Sequence, residues 1–379
     1  MSIVKAFASP LGVETSKVSH AVAQKYFEQV RRRIGCALIK NGQERLAAQA
    51  GDICVPRGQS WRPEVGLAAS ACVAGMAELG LLQLAVASAD TGAFAQASIE
   101  HAQTLLADGW AVPIRGQVTV WAEEGALRIQ SELGVANFQN EHGRLVADRS
   151  DAGRLWHVRA FSDGGPRYAI ESAHNYAAGI FPWPRQWSVE TDCDVAPAPA
   201  PVIESRDLLS AAMRLVSQAS PHYLEWISCV VSGFLLASGS AHGGISSPDF
   251  PGLVAVSPLA DELDYAEAIL AEACHQYLFQ LLLVLPLTSE RVEEIHYVSA
   301  KRAYLTTRRA LVIAHAHANT ILMLRQLALR PEYAESARRR IARRMLLLEA
   351  ESLPALQVSA ELTDAGKELL GRVKELVAE

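Results

Sequence analysis

"AILAEACHQYLFQLLLVLPL", residues 268–287, decides how the chain is read. Apolar residues fill it, but the run is too short to span a bilayer, and Gln280 and Pro286 interrupt it. It reads as a buried helix over roughly residues 264–285, set in a mainly helical C-terminal half. Two polar residues stand out. Glu272 and His275 are three apart and therefore neighbours on the helix surface. His275 and position 271 are four apart, the spacing at which the two histidines of an HExxH helix, about 6 Å apart, bind one metal; here position 271 is alanine. Taken alone, Glu272 and His275 read as a hydrogen-bonded buried pair ahead of a metal site. A Glu-x-x-His pair also occurs in carboxylate-bridged di-iron bundles. Those need glutamates from other helices, and Glu267 points elsewhere.

Working outward, "SRDLLSAAMRLVSQASPHYLEWISCVVSGFLLA" and "RRALVIAHAHANTILMLRQLALR" also read as helical. The tail from Pro331 reads as two amphipathic helices parted near Pro354, with "RRRIARR" as a solvated basic face. Before residue 110, "SHAVAQKYFEQVRRRIGCALI", "GLAASACVAGMAELGLLQLAVASA" and "GAFAQASIEHAQTLLADG" give three Ala- and Leu-rich helical stretches, the last ending at Gly109. From "AVPIRGQVTVWAEEGALRIQSELG" onward the pattern changes to short alternating runs separated by turn residues, a small antiparallel sheet over roughly 110–175. "DVAPAPAP" follows as an extended connector or a surface crossing. The expected fold is α+β, mainly helical with a small antiparallel sheet in the middle: a helical region 1–109, a β region 110–195 and a helical region 205–379.

The bulk properties bound the function. A net charge of −6 gives no global pull toward nucleic acid or an anionic membrane. The six cysteines lack CxxC spacing and fit reduced thiols in the cytoplasm. The first twenty residues have no basic start followed by an apolar stretch, so a secretory leader is not expected. Ser238 and Ser240 sit in a Gly/Ser-rich loop without a G-x-S-x-G elbow, which argues against a serine hydrolase. His315 and His317 are two apart, about 200° around a helix, so one site cannot use both. Arg308, seven before His315, returns to nearly the same face. That stripe points either to an anion near a histidine site or to one core and one surface histidine. His174 lies after the sheet, its role open.

Residues 205–325 resemble the HExxH-type peptide β-hydroxylases, a family associated with ribosomally made, modified peptides. Glu272 and His275 match the second and last places of that motif, and Leu285-Pro286-Leu287 its ending. Ser299 and Arg302 match a following loop, Arg308 the arginine of an Arg-Pro pair, and His315 a later helical histidine. Three places depart: Ala271 replaces the first histidine, Ala300-Lys301 a Pro-Trp, and Arg309 the proline. The resemblance implies an Fe(II), 2-oxoglutarate-dependent oxygenase. In it His275 and His315 ligate metal, Glu272 acts beside the metal or as a base, and Arg308 or Arg302 pairs with a co-substrate carboxylate, a role suited to the guanidinium fork. His317, His174 or Glu272 are substitutes for the missing ligand, and the gap at Ala271 could alternatively admit water, a halide or a substrate atom. The substrate would be a peptide or small molecule. The alternative from the same departures is a metal-free protein that binds a peptide or partner protein; zinc hydrolysis is the weaker third, since catalytic zinc takes three protein ligands.

Overall fold

The computed structural model describes residues 2–10, 15–56, 61–123, 125–141, 144–148, 159–160, 168–171, 202–236, 243–256, 259–289, 295–298 and 303–378. Helices α1 (Ile3–Ala8), α2 (Thr15–Lys40), α3 (Glu44–Asp52), α4 (Pro63–Val73) and α5 (Ala77–Ala87) lead into an antiparallel meander. Its strands, paired in chain order, are β1 (Ala93–Ala107), β2 (Trp110–Glu123), β3 (Ala126–Ser131), β4 (Gly134–Glu141) and β5 (Arg144–Ala147). The fold is thus α+β and mainly helical, as expected.

The stretch expected as a third helix, 92–109, is instead β1. Ala93, Ala95, Ala97 and Ile99 are buried while Phe94 and Ser98 are exposed, a period of two that only a strand produces. Alanine-rich composition masks that alternation. Gly109 is not a helix cap: Asp108 and Gly109 have φ of 47° and 87° and close a two-residue hairpin in which Ala107 pairs with Trp110. The expected boundary at 109/110 therefore falls inside this turn. The alanine face of β1 lets α5 pack against the sheet, and α2–α5 share one apolar core with β1–β4.

A second sheet is mixed, in the order β6 (Arg159–Ala160), β7 (Tyr168–Glu171), β8 (Gly233–Leu236), β10 (Leu253–Val256), β9 (Gly244–Ser246). Strand β8 occupies "GFLL", which had read as helix. It runs parallel to both β7 and β10, and a short apolar run of that kind suits a strand flanked on both edges. Around this sheet lie α6 (Val202–Ala219), α7 (Pro221–Val230), α8 (Glu262–Leu282), α9 (Thr307–Leu327), α10 (Ala334–Leu347), α11 (Leu353–Val358) and α12 (Asp364–Ala378), with a hairpin of β11 (Ile295–Val298) and β12 (Ala303–Thr306) before α9. Pro354 does not part the tail. The chain stays helical from α10 through a π-helical turn (Leu348–Ser352) into α11, whose second residue is Pro354, and the break comes after Val358.

The second core surrounds α8, which touches α1, α2, α6, α7, α9, β9 and β10. One amide ties this core to the N-terminal half. Gln276 Oε1 accepts from Trp61 Nε1 (2.7 Å) and from the Gly252 amide (3.1 Å), and its Nε2 donates to the Leu253 carbonyl (3.2 Å). Among the described residues, no helix is long and apolar enough to cross a membrane.

Gln276→Met keeps the volume but leaves two buried donors and one acceptor unpaired. Urea unfolding should show a loss of about 3 kcal/mol or more; a loss below about 1 kcal/mol would refute the joint.

Candidate functional site

Helix α8 begins at Asp261, whose side chain accepts from the Asp264 amide at 2.8 Å. Three and a half turns on, Glu272 is buried and His275 partly exposed, with 6 % and 24 % of their side-chain surface accessible. His275 Nδ1 lies 3.0 Å from Glu272 Oε2, the same oxygen to which Ser246 Oγ donates at 2.6 Å. The hydrogen-bonded pair expected from the sequence is therefore present, with a third member from β9. Gly244 makes this possible: a Cβ there would come within 2.5 Å of Glu272 Cγ. With Nδ1–H given to the carboxylate, Nε2 is the His275 nitrogen left to meet another group.

His315 comes from α9, which is capped by Thr306 accepting from the Arg309 amide. The ring is fully buried. Its Nε2 donates to the Ala8 carbonyl at 2.8 Å, and its Nδ1 has no hydrogen-bond partner among the described residues. Trp226 meets the ring edge-to-face at 6.4 Å and itself stacks on Tyr277 at 4.2 Å. Burial pushes the His315 pKa down to about 4; the Ala8 backbone bond opposes this, the nearby His275 adds to it, and the Phe7 backbone also opposes it. The ring is neutral at ordinary pH, and the two imidazoles are within electrostatic reach of each other.

The remaining candidates separate. His317 faces the other way: Arg344 Nη1 reaches its Nδ1 at 2.9 Å. Arg344 also pairs with Glu267, and Arg340 joins Glu267 at 2.7 Å, Asp261 at 3.1 Å and Asp264. So the basic run of α10 is not all solvated face. Arg338, Arg339 and Arg343 are exposed, while Arg340 and Arg344 turn in against α8. Arg308 is exposed, and its guanidinium bonds to no described residue, so sharing a helical stripe with buried His315 does not bring the two together. Arg302, Ser299, His174, Ser238 and Ser240 lie outside the described residues. Cys274, beside His275, is buried and its thiol is pushed well up, first by burial and then by the Glu272 charge; it is a thiol, not a thiolate donor.

No protein-family model and no curated protein matches the chain. Nor, among the described residues, is any group of three or more His, Cys, Asp or Glu side chains placed to hold a metal. What the two helices offer is a pair of imidazoles, each tied through one nitrogen and without a described partner at the other. Sequence reasoning missed Ser246 and Asn319. Of these only Asn319, four residues after His315 and so on its face, left a signal.

The His315 shift carries a pH dependence. Its folded value lies below the ordinary 6.5, so the unfolded chain takes up a proton first as pH falls. Metal-free protein should keep full stability above about pH 6.5 and lose up to roughly 3 kcal/mol as pH drops toward 4. His315→Gln, which retains a donor for Ala8, should flatten that part of the slope in urea unfolding at about pH 7.5 and about pH 4.5; an unchanged slope would assign the dependence elsewhere.

Proposed function

We propose that the protein is a non-haem iron, 2-oxoglutarate-dependent oxygenase acting on a peptide or a peptide-linked amino acid, with His275 and His315 as its imidazole donors. One observation carries the metal part of this reading: the orientation of the two rings. Metal-binding histidines normally give their second nitrogen's N–H to a carboxylate or a backbone carbonyl. His275 gives its own to Glu272 and His315 to Ala8, and the nitrogen left on His315 is buried without a partner among the described residues. An unpartnered acceptor in an apolar core costs on the order of 1–3 kcal/mol, a cost that a bound cation would remove.

Iron as the metal and 2-oxoglutarate as the co-substrate rest on the resemblance of residues 205–325 alone. Bound there, iron would supply oxidation of a C–H bond by oxygen. The chain's own residues do the holding. Glu272, anchored by Ser246, fixes the His275 ring and makes it a better donor. The exposed Arg308 guanidinium is free among the described residues to meet a carboxylate, and Arg302 is the second candidate for that task.

A second reading has its own support. Ala271 brings no donor, and two imidazoles are fewer than the three protein ligands usual at a catalytic metal. On that reading the protein is a metal-free binder of a peptide or partner protein.

Elemental analysis of untagged protein after anaerobic iron loading decides between them. Near-stoichiometric iron that disappears in both His275→Ala and His315→Ala is the expected result. Glu272→Gln should weaken metal affinity about 10- to 100-fold without abolishing it. No retained metal in the parent would sink the oxygenase and leave the binder.

A further inference from the structure

Helix α1 lies inside the C-terminal core. Val4, Ala6, Phe7 and Ala8 are buried, and the Phe7 ring sits 5.2 Å from Tyr277 of α8. Ser2 caps the helix at its start, accepting from the Val4 amide, and Thr15 Oγ1 donates to the Ala6 carbonyl at 2.7 Å. A helix leaves its last carbonyls without partners of its own. In α1 the Ala8 carbonyl is taken by two side chains of α9: His315 Nε2 at 2.8 Å and Asn319 Nδ2 at 2.9 Å. The Asn319 amide also donates to the His315 carbonyl, at 3.1 Å. A carbonyl oxygen has two lone pairs, and here each has its own donor.

This arrangement does something that the His315 bond alone would not. A neutral imidazole can carry its proton on either nitrogen, and the hydrogen bonds around it choose. The acceptor chosen here is a backbone atom from a segment 307 residues away in sequence, so its place against the ring must be fixed by other contacts. Asn319 supplies the nearest one, bridging the Ala8 carbonyl to the helix that carries His315.

We infer that Asn319 is a positioning residue which, with residues 2–8, holds the Ala8 carbonyl against His315 and so locks the ring with its proton on Nε2 and its lone pair on Nδ1. The N-terminal helix is then part of the histidine site and not only a packed appendage. Its use to a metal rests on the proposed function; the lock itself does not.

Ring-nitrogen NMR of the full-length, metal-free protein tests it, with the His315 signals identified by their loss in His315→Gln. The parent should show His315 with a protonated Nε2, a bare Nδ1 and an exchange-protected ring proton close to the Asn319 side-chain amide. Asn319→Ala should move both ring nitrogens toward averaged values, as the two proton placements mix. Thr320→Ala is the control for mere loss of a buried polar group, since Thr320 is as buried as Asn319 but bonds only to the Ala316 carbonyl; it should leave the His315 signals where they are. If Asn319→Ala does not fold, Asn319→Leu keeps the bulk, loses the donor and should give the same mixing. A parent with its proton on Nδ1, or an Asn319 variant with the parent's signals, overturns the inference. Because no metal is present, failure here is separate from failure to take up iron.

Discussion

A helix enclosed on most sides cannot leave its inward polar side chains to water, so each buried one on α8 must find a partner in the protein or cost on the order of 1–3 kcal/mol. That constraint organises the C-terminal half. Glu267 is met by two arginines of α10, Glu272 by Ser246 of β9 and by His275, and Gln276 by Trp61, Gly252 and Leu253. Each partnership fixes a different neighbour in place: a helix, an edge strand, and the segment leading into α4. Gln280 breaks the series, with neither amide atom bonded to a described residue.

These partnerships differ in what they contribute. A buried ion pair recovers little more than the desolvation of its own charges, so the Glu267 cluster does more to set the placement of α10 than to add net stability. The Gln276 amide carries no charge and uses three of its four hydrogen-bonding positions, so its bonds join the two halves without a comparable desolvation cost. Beneath both, the net driving force is the apolar burial around α8, to which the Trp226–Tyr277 stack and Phe7 add large aromatic surfaces. The histidines sit where this packing is interrupted by polarity.

What the sequence showed, and what it hid, follows from the range of the interactions. Helices α8 and α9 and the Glu272–His275 bond were legible because spacing on one helix fixes them. Strand β1 was not, because alanines favour helix while the deciding alternation is carried by only a few larger residues. Arg308 and His315 share a stripe, but burial also changes along a helix axis, and periodicity does not report that. Two of the arginines in "RRRIARR" turn inward because acids on a distant helix await them. Ser246 and the Ala8 carbonyl were beyond reach for the same reason: their partners are 26 and 307 residues away.

The alanine at 271 has a narrower consequence than its place in the motif suggests. If the imidazoles were oriented only by a shared ion, removing one ligand would loosen the others. Here each ring has its own orienting partner: His275 is held by the Glu272–Ser246 unit, and His315 by the Ala8 carbonyl that Asn319 also holds. Among the described residues no hydrogen bond links the two units, so on the proposed reading a missing third donor would subtract its binding contribution without disordering the rest. Two donors so held keep the geometric part of a binding site, since less side-chain freedom remains to be lost when a ligand arrives. On the proposed function, an alanine at position 271 therefore leaves the two imidazoles individually held and organised for a ligand.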